Sequence, residues 1–205
     1  VFALHAETMA GATAMLTGVA IGVYGLTQAL LQIPFGWLSD RLGRKPVIAA
    51  GLLLFASGSI VAAMADDISG IIIGRALQGA GAIAAALMAL AADLSREEHR
   101  TRMMASIGAS IGLAFALSMV LAPLLDARIG LSGIFYLTAA LAVAGIVILF
   151  VFVPRPLVSR FHRDAEVDTH SLGSVLRSAE LLRLDAGIFA LHFSLMCAFL
   201  VVPLQ

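Results

Sequence analysis

The chain has 205 residues, a formal net charge of zero, 60% hydrophobic and 13% charged side chains, and a mean hydropathy of +1.00. Soluble domains carry about a quarter charged residues, so this composition argues against a water-soluble fold, and zero net charge removes any bulk attraction for nucleic acid. The single cysteine, Cys197, excludes an internal disulfide framework and fits no metal site.

Residues 1–5, Val-Phe-Ala-Leu-His, have no basic leader and no small-residue cleavage site. They are expected to be the tail of a preceding segment rather than a signal peptide. Uncharged stretches then follow at 15–38, 46–65, 71–92 (interrupted by Arg75), 103–125 and 133–153, and a last one begins near Ala186. About 20 helical residues at 1.5 Å each cross the ~30 Å hydrocarbon core, so the pattern predicts five complete spans and part of another.

The connections set the orientation. Lys and Arg number three in 40–46, three in 95–102 and five in 154–185, against none in 1–14, none in 66–70 and one in 126–132. By the positive-inside rule the basic set is cytoplasmic: 39–46, 94–102 and 154–185 face the cytosol and the chain begins outside. A multi-pass membrane protein is expected, with the lipid bilayer as its surroundings.

Pro46 suits a first helical turn, and Ser95 with Glu98 has capping-box spacing ahead of the fourth stretch. In 154–185, Leu172, Val175, Leu176, Ala179 and Leu182 share one face of a short helix, with Arg177, Glu180 and Arg183 opposite. Such a helix lies on the membrane surface or packs on the protein; both readings stand. Three regions result: a bundle over 1–153, a cytosolic linker over 154–185 and the start of a second bundle over 186–205.

Helices in lipid pack through small residues. Gly18 with Gly22, Gly108 with Gly112, and Gly79 in the third stretch are therefore expected at helix contacts, whereas 46–65 and 133–153, poor in polar groups, are expected to face lipid more. Tyr24, Gln28 and Gln32 recur every fourth residue and share a face. That face either lines a wet pathway or hydrogen-bonds to neighbouring helices. Arg75 is a cation within a span, at an insertion cost of at least ~2.5 kcal/mol. It either snorkels outward to headgroups or turns into a cavity beside Gln78.

Two motifs carry a resemblance. The loop Gly36-Trp-Leu-Ser-Asp-Arg-Leu-Gly-Arg-Lys-Pro46 resembles the signature G-x-L-x-D-R-x-G-R-[KR]-x of the major facilitator superfamily. One span later, Gly74-Arg-Ala-Leu-Gln-Gly-Ala-Gly-Ala82 is similar to the fourth-helix motif of its drug:proton antiporter group. The resemblance implies an all-α polytopic fold, incomplete here, covering about helices two to seven of twelve. It implies that Asp40 sits near a helix amino terminus of the opposite bundle as a latch closing the cytosolic side. Arg44 would pair with Asp93 at the inner end of helix four, Gly36 and Gly43 would permit close approach and a tight turn, and Arg75 would take part in proton coupling. For Arg41 and Lys45 plain topogenic charge is the simpler reading. The chain differs from the group in having Ala122-Pro123, not Gly-Pro, after Gly108 and Gly112. No carboxylate lies within a complete span.

The function expected from this is secondary active transport: proton-coupled efflux of small amphipathic solutes by alternating access, by a monomer, without cofactor or metal. The alternative is a non-transporting membrane sensor or scaffold that keeps the loop for folding. An enzyme is not expected, because His5, His99, His162, His170 and His192 form no ligand cluster and no nucleophile has a base at a fitting spacing. The phosphate-loop pattern G-x-x-x-x-G-K-[ST] is absent, against ATP-driven transport by this chain.

Overall fold

The computed structural model describes residues 10–154 and 177–201. Among these the chain is helical, with one isolated bridge between Ala10 and Asp67. In order come α1 (Ala14–Leu42), α2 (Arg44–Ala63), α3 (Ile68–Ala80), α4 (Ala84–Asp93), a 3-10 turn (Glu97–His99), α5 (Arg100–Val151) and α6 (Ala179–Val201). Two compact units divide at Phe161/His162, and α6 belongs to the second.

Side-chain caps start two helices on the outer side. Thr13 Oγ1 accepts from Leu16 N at 3.2 Å, and Asp67 Oδ1 accepts from Gly70 N at 2.8 Å. Between α1 and α2 there is only Gly43, at φ 95° and ψ 149°, a conformation essentially confined to glycine. Pro46 falls in the first turn of α2.

Among the described residues four helical stretches are long and apolar enough to cross a membrane: Ala14–Leu42, Arg44–Ala63, Ile68–Asp93 and Glu97–Val151. The last has 55 residues, roughly 80 Å of helix and more than two bilayer crossings. Gly130, at φ 66° and ψ 179°, breaks it into arms 100–129 and 131–151. The connection expected across 126–132 thus shrinks to one glycine. Ala122 and Thr138 line a common cavity although a straight helix would hold them roughly 24 Å apart, so the arms fold toward each other at Gly130. The third stretch is itself divided: 81–83 leave helical conformation between α3 and α4.

α2 is the spine of the first unit. Near its cytosolic end Ile48 and Ala49 pack with Ala86, Leu90 and Leu149; midway Ala56 meets Ala139 and Ala142; near its outer end Ala62 and Ala63 join Ala20, Ile71, Leu131 and Phe135. This corrects the expectation that 46–65 faces lipid. Half of the α2 window is buried, against 11% for α1. Lipid tails and neighbouring helices are equally apolar, so a lack of polar groups does not distinguish them; small residues do. A Cβ on Gly58 would lie 2.7 Å from the Gly74 carbonyl oxygen, and one on Gly74 would lie 2.6 Å from Ala62 N, so α2 and α3 meet backbone to backbone. The 131–151 arm buries Leu131, Phe135, Ala139, Ala142 and Leu149 against this spine and exposes Leu141, Val143, Val147 and Phe150 on its other side.

Other expectations change too. Gly79 is a contact, since a Cβ there would overlap the Tyr24 carbonyl and the Thr27 hydroxyl. At Gly18, Gly22, Gly108 and Gly112, apart from the helix's own neighbouring backbone, nothing among the described residues lies within 4 Å of an added Cβ. The 100–129 arm exposes Ile111, Leu113, Leu117 and Val120 in turn, so its small-residue face has no described neighbour. Ser95 does not form a capping box. Its hydroxyl donates back to the Ala91 carbonyl at 2.7 Å, serving the orphan carbonyls at the end of α4 instead. Of the helix expected around 172–183, Leu172, Val175 and Leu176 lie outside the described residues. Ala179 and Leu182 belong to α6, which runs on past Ala186.

The glycine contacts predict unequal costs of a single methyl group. Gly58→Ala is expected to destabilise the full-length protein by about 1–3 kcal/mol through overpacking, while Gly25→Ala, with nothing within 4 Å, changes stability by less than about 0.5 kcal/mol. Thermal unfolding in detergent measures both.

Candidate functional site

Two polar centres stand out in this apolar bundle. The first surrounds Gly43 at the end expected to be cytosolic. The one-residue link places the last turn of α1 against the first turn of α2, so Asp40 and Arg44 are neighbours and form an ion pair. Arg44 is 10% exposed, and its Nε donates to Asp93 Oδ2 at 3.1 Å; Asp93, the last residue of α4, is 1% exposed. Arg44 Nη1 also donates to Ser39 Oγ at 2.8 Å, and that hydroxyl donates to the Gly36 carbonyl at 2.6 Å. One guanidinium therefore joins α1, α2 and α4. Charge-assisted bonds of this kind are stronger than neutral ones, and a nearly dry carboxylate needs them.

The rest of the signature loop divides by role. A Cβ on Gly36 would meet that of Ala85 at 3.4 Å, so α1 touches α4 there, while Gly43 serves the turn. The Arg41 guanidinium stacks 3.8 Å above the centroid of the half-exposed Trp37 ring. Lys45 is buried and its Nζ donates to the Val153 carbonyl just beyond α5, a contact with no counterpart in the topogenic reading of this residue.

The second centre lies at membrane depth. Arg75 Nη1 donates to Gln78 Oε1 at 2.9 Å and Nε donates to the Ala20 carbonyl at 3.4 Å, with the guanidinium 4.5 Å from the Tyr24 ring centroid. Gln78 Nε2 donates to Ser59 Oγ at 2.7 Å, and Ser59 Oγ donates to the Phe55 carbonyl at 2.9 Å. The close approach at Gly58 and Gly74 makes this chain possible, because it carries Gln78 of α3 to within reach of Ser59 of α2. Both are almost fully buried, and each side chain in the series donates at least one hydrogen bond to the next or to a carbonyl.

Arg75 and Gln78 line a cavity of about 290 Å³ with Phe55, Phe135 and Thr138. A second cavity of about 460 Å³ is lined by Tyr24, Gln28, Leu87 and by Gly81 and Ile83 of the break, and shares Phe55 and Thr138 with the first. Tyr24 and Gln28 of the α1 stripe thus meet a hollow space. Gln32 does not line either cavity; its Oε1 is shielded from solvent and accepts no hydrogen bond among the described residues. Among the described residues no carboxylate lies within ion-pair reach of Arg75, and no cluster of His, Cys, Asp and Glu forms a metal site. His192 Nδ1 lies 3.0 Å from the Ile188 carbonyl, one turn back along its own helix.

Sequence reasoning overlooked Ser39 and Ser59, and read Lys45 as topogenic charge alone. Ser59 had a signal, since Ser57 and Ser59 carry the only hydroxyls in 46–65. Lys45 had none beyond its place beside Arg44.

Comparison with known proteins agrees with the architecture. Residues 2–204 match the profile of the Major Facilitator Superfamily. The chain is 49% identical over its whole length to the inner membrane transport protein YajR of Escherichia coli K12, covering 45% of that protein. It is 37% identical over 195 residues to an uncharacterized transporter of Buchnera aphidicola subsp. Schizaphis graminum, covering half of it. The chain thus spans about half the length of these relatives. In structure it is similar to the human organic anion transporter MFSD10 (TETRAN), with a TM-score of 0.57 and 28% identity over 70% of this chain and 33% of that one. With a family match over nearly every residue and a polytopic helical fold, this chain belongs to the major facilitator superfamily.

Proposed function

We propose that the full-length protein is a secondary active transporter of the bacterial inner membrane that moves a small amphipathic solute by alternating access, coupled to protons and directed outward. The observation that carries this reading is the Arg75–Gln78–Ser59 chain. A cation held at membrane depth, facing a cavity with aromatic walls, has no structural necessity in an apolar bundle and marks a polar pathway. Family membership and the transporter names of its relatives support the same class. In major facilitators two bundles rock about a site at the bilayer midplane, and this chain supplies one side of such a site.

The Asp40–Arg44–Asp93 cluster is then the cytosolic latch. Its carboxylates differ in setting, Asp40 being 26% exposed and Asp93 1% exposed. Asp93 holds Arg44 in place, while Asp40 retains enough access to engage a helix amino terminus of the other bundle. Arg75 supplies the charge that senses a proton on a nearby carboxylate or an anionic group of the solute. Differential stability of the two states, not the tightness of binding itself, drives the exchange.

Reconstituted full-length protein is expected to change lumenal pH when a transported solute is added, followed with a trapped pH-sensitive dye. No proton flux with any member of a broad amphipathic panel, under either gradient direction, contradicts coupling. Asp40→Asn is expected to raise the alkylation rate of a Leu87→Cys probe in the second cavity; an unchanged rate rejects the latch. Stability separates the two carboxylates: Asp93→Asn is expected to cost about 1–3 kcal/mol and Asp40→Asn less than about 1 kcal/mol by thermal unfolding.

A further inference from the structure

Lys45 follows Arg44 directly in the first turn of α2, yet the two cations hold different helices. Arg44 engages the last residue of α4, while Lys45 donates to the carbonyl of Val153, just past the end of α5 at Val151. Lys45 is 8% exposed, so its ammonium has given up most of its water at this position. A buried cation needs acceptors, and the carboxyl end of a helix offers unpaired carbonyls carrying partial negative charge. The need is mutual. Pro154 disfavours helical backbone at the residue before it, Val153, so the helix ends here and does not supply the next-turn N–H that the Val153 carbonyl would otherwise accept from. Val153 is also the residue from which the polar segment 154–185 departs.

We propose that Lys45 is a positioning residue for the transport cycle: it fastens the origin of the inter-bundle segment, at Val153, to the same turn that bears the Arg44–Asp93 pair. The inference rests on the alternating-access reading above. Residues 44 and 45 share one helical turn behind Gly43, so any displacement of that turn reaches α4 through Arg44 and the start of the linker through Lys45. Closure of the cytosolic side and the take-off of the linker then move together. Loss of the lysine head group uncouples them while leaving Arg44 and Asp93 chemically intact.

Spin labels at Leu42 and Phe152, both exposed and outside the two polar centres, report this link in the full-length protein in lipid, in a background free of other cysteines. One narrow distance distribution is expected with Lys45 present. Lys45→Met is expected to broaden it and to change the alkylation rate of a Leu87→Cys probe by about threefold or more. Lys45→Arg keeps the cation and the donor and is expected to restore both readouts. Lys45→Gln, read in the same way, serves if the methionine variant does not reach the membrane folded. A lysine with a merely structural role would lower the unfolding temperature but leave the distance distribution and alkylation rate of the folded protein unchanged, and that result overturns the proposal. If the unsubstituted protein alternates and all three variants match it, the Lys45 inference alone fails. If the unsubstituted protein shows no alternation, both it and the function reading fail.

Discussion

Asp93 sits with 1% of its side chain exposed at the end of α4, in a chain with almost no water to offer it, and Arg44 meets it at 3.1 Å. An ionised carboxylate in such a place is tolerable only with a cation and good hydrogen bonds, and the helices carrying the two must stay together for both to remain satisfied. The pair spans 49 residues of sequence and draws α2 and α4 to a common point beside the single-glycine link from α1. Asp40, Ser39 and the Gly36 carbonyl complete the same network from α1. The cytosolic end of the bundle is therefore fixed by polar chemistry, while its length is fixed by small residues packed along α2.

These two kinds of contact serve different ends. Gly58, Gly74, Ala56 and Ala62 let backbones approach, which in lipid replaces the hydrophobic drive that is missing between helices. That approach also places Ser59 under Gln78, and Gln78 beside Arg75, so a buried cation acquires neutral partners instead of a second charge. A guanidinium with neutral partners keeps its full charge available to a third group. This property suits the wall of a solute pathway better than a closed ion pair would.

Much of this was legible in the sequence because membrane thickness imposes a strict length and cationic loops impose a direction. The spans follow from hydropathy and charge, and the tight turn at Gly43 is what the resemblance of the loop implies; for Arg75 the sequence left two settings open, snorkelling to headgroups or a cavity beside Gln78, and the second is the one observed. The position of α2 at the centre does not follow from hydropathy, because an apolar residue is equally at home against lipid or against a helix; only its small residues on more than one face, Gly58 toward α3 and Ala56 toward α5, carried the information. Gly108 and Gly112 show the converse, a small-residue spacing with no described neighbour to pack on. Lys45 was opaque for another reason. Its acceptor is a backbone carbonyl 108 residues away, and carbonyls leave no mark in a sequence.

The most direct test of this account is a double-mutant cycle on Arg44 and Asp93 in the full-length protein, read by thermal unfolding in lipid or detergent. If the pair holds α2 to α4, Arg44→Ala and Asp93→Ala will be strongly non-additive, with a coupling energy of about 1.5–3 kcal/mol. Additivity to within about 0.5 kcal/mol would mean that the two charges are merely neighbours, and that something else keeps the cytosolic ends of these helices together.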